Sequence, residues 1–249
     1  MRDKVALVTG AGAGIGRATA LELATRGASV LVADLSEAGG AETVREIEAA
    51  GGRAAFFKVD VSDEASVRAL VAETVRRFGR IDYLVNDAGI AAAGPPVPLH
   101  EVTLEAFQRV QAVNVTGMFL CMKHAMPELL KTKGAVVNLS STMGDRAASG
   151  DPSYPTSKHA VRGLTKSAAL TYAAEGVRVN AVGPGVVKTD MTEGIFADEQ
   201  MTAWLLGVTP MRRFGDAPEV ARLIAFLCSD DASYMTGGYY PVDGGWLAG

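Results

Sequence analysis

Apolar and polar positions along this 249-residue chain switch repeatedly between two periods. Short runs rich in Val, Ile and Leu carry no polar interruption, which is how strands buried on both faces read. Residues 4–10 (KVALVTG), 28–35, 54–61, 81–87, 134–141 and 177–185 are of this kind, and 237–245 is a last strand set between glycines. Between them lie stretches of helical spacing at 14–27, 37–52, 62–79, 104–131, 158–176 and 217–230. The first of these predicts a helix with Ile15, Ala18, Leu21 and Leu23 on one side, Arg17 and Glu22 on the other, and Gly27 as its stop. The third has Ser62 as expected N-cap and acids in its first turn. Strict β-α alternation from start to finish predicts one domain over 1–249: an α/β doubly wound parallel sheet of Rossmann type with helices on both faces.

One connection stands out. Residues 190–216 mix Met, Trp, Leu and Phe with Gly and charge, and connections of that length tend to be lids or binding loops. The sequence shows no linker, low-complexity stretch or solenoid repeat.

Composition narrows the function classes. The chain is 48% apolar and 21% charged with a formal net charge of -4, which argues against a nucleic-acid surface or a basic membrane patch. Two distant cysteines, Cys121 and Cys228, give neither a disulfide framework nor metal-ligand spacing, so a reducing compartment is expected. The first residues run straight into a strand without signal-peptide character, and no apolar run approaches the roughly 18 residues of a membrane helix. The expectation is a cytoplasmic protein with no membrane partner. His100, His124 and His159 have no metal spacing and no acid partner, so no metal site is expected.

The candidate chemistry begins at residues 9–16, TGAGAGIG, between the first strand and the first helix. Gly10, Gly12, Gly14 and Gly16 let backbone approach a ligand closely, and the helix behind them offers free N–H groups and a positive dipole end to a pyrophosphate. The spacing is T-G-x-x-x-G-x-G rather than G-x-G-x-x-G. The second strand ends in Asp34, where a carboxylate can accept hydrogen bonds from ribose hydroxyls and repels a 2′-phosphate. Ala13 stands in the turn, and Leu35 and Ser36 follow Asp34, so no cation is at hand for such a phosphate. Both observations favour NAD over NADP.

Five motifs (TGAGAGIG, NDAG at 86–89, NLSS at 138–141, YPTSK at 154–158 and PGVVKT at 184–189) follow one another in the order and spacing of the short-chain dehydrogenase/reductase family. The chain resembles its compact single-domain branch over nearly its full length, apart from the 190–216 loop. Pro155 falls in the first turn of a helix expected to begin near 151–153, where its missing N–H is no loss. Tyr154 and Lys158 then sit one turn apart on one face. A phenol has a reference pKa of about 10, and a neighbouring ammonium is expected to lower it toward a useful general base. The resemblance implies that Ser141 is the third catalytic member, with Ser140 its rival, and that Asn114 holds a water beside the lysine.

The resemblance also assigns the remaining cofactor contacts. Ala13 and Ile15 belong to the glycine-rich turn, and Leu35 follows Asp34. Asp60, Val61 and Val113 match adenine contacts, and Asn86, Ala88 and Gly89 match the segment along the ribose. Tyr154 and Lys158 adjoin the nicotinamide ribose, and Pro184, Gly185, Val187 and Thr189 hold the carboxamide end. The family usually has asparagine where this chain has Asp87, which replaces an amide donor with an acceptor. The expected activity is NAD-dependent interconversion of a secondary alcohol and its ketone, with a homotetramer as the family's usual assembly. A 3-oxoacyl-carrier-protein reductase shares all five motifs, though it normally takes the phosphorylated cofactor. A nucleotide-binding regulator without chemistry would not need the intact Ser141, Tyr154, Lys158 and Asn114. The substrate pocket is expected from residues near 91–98, 142–150 and 185–214. Their small and apolar character suits a modest hydrophobic alcohol, cyclic or aliphatic.

Overall fold

The computed structural model describes residues 1–91 and 96–249. Seven strands form one parallel sheet: β1 (Val5–Thr9), β2 (Ser29–Asp34), β3 (Arg53–Lys58), β4 (Tyr83–Asn86), β5 (Ala135–Leu139), β6 (Arg178–Pro184) and β9 (Tyr239–Val242), in the order β3-β2-β1-β4-β5-β6-β9. The long helices are α1 (Gly14–Thr25), α2 (Glu37–Ala49), α3 (Glu64–Phe78), α4 (Leu104–Gln111), α5 (Met118–Thr132), α6 (Ser153–Tyr172) and α9 (Ala217–Cys228). Strand order reverses between β1 and β4. In such sheets ligands bind at that switch point, beyond the carboxyl ends of the strands. Four of the five motifs lie at one of those ends, and the fifth, YPTSK, lies in the first turns of α6.

Alternation along β1 shows how the strands are buried on both faces. Ala6 and Val8 join a cluster with Leu23 and Ala24 of α1, Ile47 of α2 and Val220, Ile224 and Leu227 of α9. Leu7 points the other way, into a cluster with Val67 and Leu70 of α3, Met122 and Leu129 of α5 and Val161 of α6. A strand with helices over both sides has no polar face to show, hence the uninterrupted apolar runs.

The structure refines several expectations. The buried stripe of α1 is Gly16, Thr19, Ala20, Leu23 and Ala24, so Ile15, Ala18 and Leu21 are only partly covered. Small residues face the core there because α1 packs closely against α9. The N-cap of α3 is Asp63, which accepts from the Ala65 and Ser66 N–H groups, and not Ser62, whose hydroxyl is held by Asp60. The helical stretch 104–131 is not uniform: α4 and α5 are joined by a π-turn over Ala112–Gly117. Residues 190–216 fold into two further helices, α7 (Glu193–Phe196) and α8 (Glu199–Val208), between two-residue strands β7 (Val187–Lys188) and β8 (Gly215–Asp216). Leu205, Phe214 and Trp246 anchor this segment as a small apolar cluster of its own. Among the described residues no helix is long and apolar enough to cross a membrane.

Leu7 is fully buried at the centre of the sheet. Leu7→Ala is expected to lower stability by about 2–5 kcal/mol, the cost of lost burial plus a cavity, read from the midpoint of denaturant unfolding.

Candidate active site

The turn from β1 into α1 lies against the end of β4. Gly10 has φ +67, and a Cβ there would come within 2.8 Å of the Ala88 nitrogen. A Cβ on Gly16 would stand 2.2 Å from the Gly10 carbonyl oxygen. Gly10 and Gly16 therefore allow strand, helix and turn to close on each other, while Gly14, Ala13 and Ile15 line the cleft. The N-terminus of α1 has Ala13 as N-cap, with no side-chain cap and no acid in the first turn. An uncapped helix start of this kind is suited to an anion. Gly12 gives its N–H to Asp34 Oδ2 at 2.8 Å, and Ser36 gives its N–H to Oδ1 at 2.8 Å. The Asp34 carboxylate is thus held in place at the edge of the cleft, while the start of α2 is capped by Ser36.

A second hollow, about 420 Å³, continues from Asp34 past Leu35, Asp60, Val61, Ala88, Gly89 and Val113. It also takes in Val59, Ile90, Ala112 and Arg109, which the motifs did not indicate. Asn86 belongs to neither hollow. Its side chain is buried and donates to Asn138 Oδ1 at 2.8 Å, across the register that pairs β4 with β5. Gly12 and Gly16 likewise shape the turn from behind and do not line it.

At the reaction end, Ser141, Tyr154 and Lys158 line one cleft with Leu139 and Ser140. Helix α6 begins at Ser153 as expected, and Asp151 caps it by accepting from the Ser153 and Tyr154 N–H groups at 3.0 and 3.1 Å. Lys158 is buried, donates to the Leu139 carbonyl at 2.8 Å, and has its Nζ 5.3 Å from the centre of the Tyr154 ring. The Ser141 hydroxyl shares the cleft with the Tyr154 phenol, acts to lower its pKa, and accepts from the Met143 N–H at 3.1 Å. Ser140 turns its hydroxyl to the Lys158 carbonyl, 2.9 Å away, so Ser141 is the serine that meets the tyrosine.

Asn114 sits in the π-turn with its side chain bonded at both its oxygen and its nitrogen. It accepts from the Ile90 N–H at 2.8 Å and donates to the Ile90 carbonyl at 2.9 Å and to Ser157 Oγ at 3.0 Å. Widened turns of this kind recur at functional sites.

The charges depart from the simple expectation. Without a cofactor, burial pushes the Tyr154 phenol up to about 12; the Ser141 hydroxyl opposes this, and Asp87 and Asp151 reinforce it. The Lys158 ammonium is itself brought down to about 8 by burial, with Asp87 working against the fall. Asp87, a cleft residue set aside by its departure from the family pattern, is raised to about 7 by burial. Lys158 and the Gly16 N–H restrain that rise, and Asp34 adds to it.

Pro184, Gly185, Val187 and Thr189 line the far wall, joined by Asp190, Met191 and Thr192. Of the expected pocket segments, residues 92–95 lie outside the described residues. From the others, Met143, Val186, Ile195 and Phe196 pack on the cluster of Leu205, Phe214 and Trp246, and Met191, Met201 and Trp204 remain exposed above it. Taken together, the glycine turn, the uncapped helix start, the oriented Asp34 and the elongated double hollow fit a dinucleotide.

A family model described as enoyl-(acyl carrier protein) reductase matches residues 10–247. The chain is 44% identical to cis-4-hydroxycyclohexanecarboxylate dehydrogenase of Sinomonas cyclohexanicum, over 99% of its own length and 97% of that protein's. It is 40% identical to cyclohexanol dehydrogenase of Acinetobacter sp. strain SE19, over 99% and 96%. The crystal structure of levodione reductase superposes with a TM-score of 0.94 at 38% identity, covering 100% of this chain and 99% of that one. Other similar structures contain NADP.

Asp87 yields a pH prediction. Its folded value near 7 exceeds the ordinary carboxylate value of 3.8, so between those limits the folded state holds the proton more tightly than the unfolded chain does. Its contribution therefore favours folding below pH about 4 and is lost as pH rises toward 7. Asp87→Asn is expected to flatten that decline, measured as the thermal midpoint of the cofactor-free protein against pH.

Proposed function

The chain belongs to the short-chain dehydrogenase/reductase family, and from that premise we propose that it is an NAD-preferring dehydrogenase of cyclic secondary alcohols with Tyr154 as general acid/base. It is an oxidoreductase interconverting an alcohol and a ketone with a nicotinamide cofactor. The observation that carries the finer reading is the convergence of Ser141, Tyr154 and a buried Lys158 on one cleft, with the lysine Nζ 5.3 Å from the centre of the tyrosine ring.

When bound, the dinucleotide accepts or donates the hydride. In oxidation Tyr154 takes the hydroxyl proton, and in reduction it returns one to the carbonyl oxygen. Ser141 holds that oxygen while charge builds on it. Burial leaves the phenol weakly acidic by itself, and Lys158 beside it, together with the positive charge an oxidised cofactor would bring, would favour the phenolate. Gly10, Ala13, Gly14 and Ile15 cradle the pyrophosphate, and Asp34 receives the adenine-side ribose. Leu35, Asp60, Val61, Ala88, Gly89 and Val113 flank the adenine half. Lys158 also bonds the nicotinamide ribose, and Pro184, Gly185, Val187 and Thr189 secure the carboxamide. One domain serves both cofactor and substrate.

Preference for NAD rests on Asp34, whose fixed carboxylate repels a 2′-phosphate. The same residue speaks against a 3-oxoacyl-carrier-protein reductase, and the similar proteins acting on cyclohexane-ring alcohols point away from acyl thioesters. Met191 lines the cleft and Met143 and Phe196 pack on the apolar cluster of the 190–216 segment, an apolar character suited to a carbocycle. A homotetramer in the cytoplasm completes the reading; exposed Leu104, Phe119 and Leu170 on α4, α5 and α6 supply apolar surface for subunit contacts.

Tyr154→Phe should lower kcat by about 10²–10⁴-fold while NAD binding persists, checked by steady-state rates on cyclohexanol and by fluorescence titration with NADH. Turnover with NAD should exceed turnover with NADP, and Asp34→Ala should narrow the gap. A native preference for NADP would remove the basis of the NAD assignment.

A further inference from the structure

Ser141 is extended, with φ -172 and ψ 164, at the point where β5 gives way to the loop before α6. Its side chain meets Tyr154, but its backbone is held from a distant strand. Tyr239, on β9, donates its phenol to the Ser141 carbonyl at 2.8 Å. To get there the ring crosses β6 at Gly183, where a Cβ would come within 2.2 Å of the phenol oxygen. Glycine inside a strand weakens it and marks a close approach, which is what this one provides. The other side of the ring is covered by Arg162, whose guanidinium carbon lies 4.2 Å from the ring centre. Arg162 stands one turn beyond Lys158 on α6, continuing the face that carries Tyr154. It also donates to the Gly144 carbonyl at 2.7 Å and pairs with Asp145. Tyr239 and Arg162 thus tie β9, β6 and α6 to the Ser141–Asp145 loop, and neither lines the cleft.

We propose that Tyr239, steadied by Arg162, is a positioning residue that fixes the Ser141 backbone and through it the hydroxyl facing Tyr154. The inference rests on the role given to Ser141 above. Tyr239 remains a donor throughout the working range: burial raises its phenol to about 12, Arg162 opposes the rise, and Asp145 and Asp243 add to it. A loosened Ser141 has two consequences. The substrate oxygen is held less well, and Tyr154 loses the neighbouring hydroxyl that counters its burial and the charges of Asp87 and Asp151.

The test is a double-mutant cycle on kcat with pH profiles, using NAD and cyclohexanol. Tyr239→Phe removes only the hydroxyl and leaves the ring between Gly183 and Arg162. It should lower kcat about tenfold, the factor matching one lost hydrogen bond, leave KM for NAD unchanged, and move the pH midpoint of kcat upward. In a Ser141→Ala background the same change should have no further effect. Gly183→Ala, which displaces the phenol without touching Tyr239, should reproduce the kcat loss and the shifted midpoint. Additive losses in the double variant, or an unmoved midpoint, overturn this inference while leaving the role of Ser141 intact. Full activity in Ser141→Ala alone would overturn the serine assignment and this inference with it.

Discussion

Lys158 carries its ammonium to a point nearly sealed from water, and removing a charge from water costs several kcal/mol unless other groups replace the lost solvation. Here the replacements are the Leu139 carbonyl at the end of β5 and the field of Asp87 at the end of β4. Both come from strand ends at the switch point of the sheet. The ammonium is therefore tenable only because β4 and β5 lie side by side and α6 packs over them, with Asn86 paired to Asn138 across the same register. The alcohol chemistry assigned to the site depends on that cation, so it depends on this junction.

The same junction explains why the phenol beside it is poorly acidic in the free protein. Burial opposes ionisation of Tyr154 more strongly than any single partner favours it, and two carboxylates, Asp87 and Asp151, add to the opposition. The cleft is balanced for a state that includes one more positive charge. An oxidised nicotinamide bound in the cleft would supply it, so that proton abstraction would be linked to cofactor binding. Asp87 takes part in the balance from both sides, since it supports the ammonium and disfavours the phenolate.

Much of this was legible in the chain. Apolar runs without interruption indicated strands covered on both faces, and Ala6, Leu7 and Val8 divide between two clusters as that reading requires. The glycine turn, Asp34, Ser141, Tyr154 and Lys158 were found by motif and do line one cleft. Asn86, matched by motif to the ribose segment, turns its side chain to Asn138 across the sheet. Other expectations failed for local reasons. Ser62 was read as a cap because its type is right, yet Asp63 reaches the N–H groups better and Asp60 occupies the serine. The 190–216 segment looked like a long loop because its two helices pack their few apolar residues into a separate small cluster, which weakens the periodic signal.

By itself the sequence determined the order of elements, the glycine positions that permit close approach, and which side chains could carry chemistry, because period, backbone freedom and functional groups are local properties. Only the tertiary structure decided the direction of the Tyr154 shift, the proximity of Asp87 to Lys158, and the reach of Tyr239 across Gly183 to the Ser141 carbonyl. Those depend on burial and on contacts between residues as many as 98 positions apart. No local pattern records how deeply a group is buried or what lies across the sheet from it.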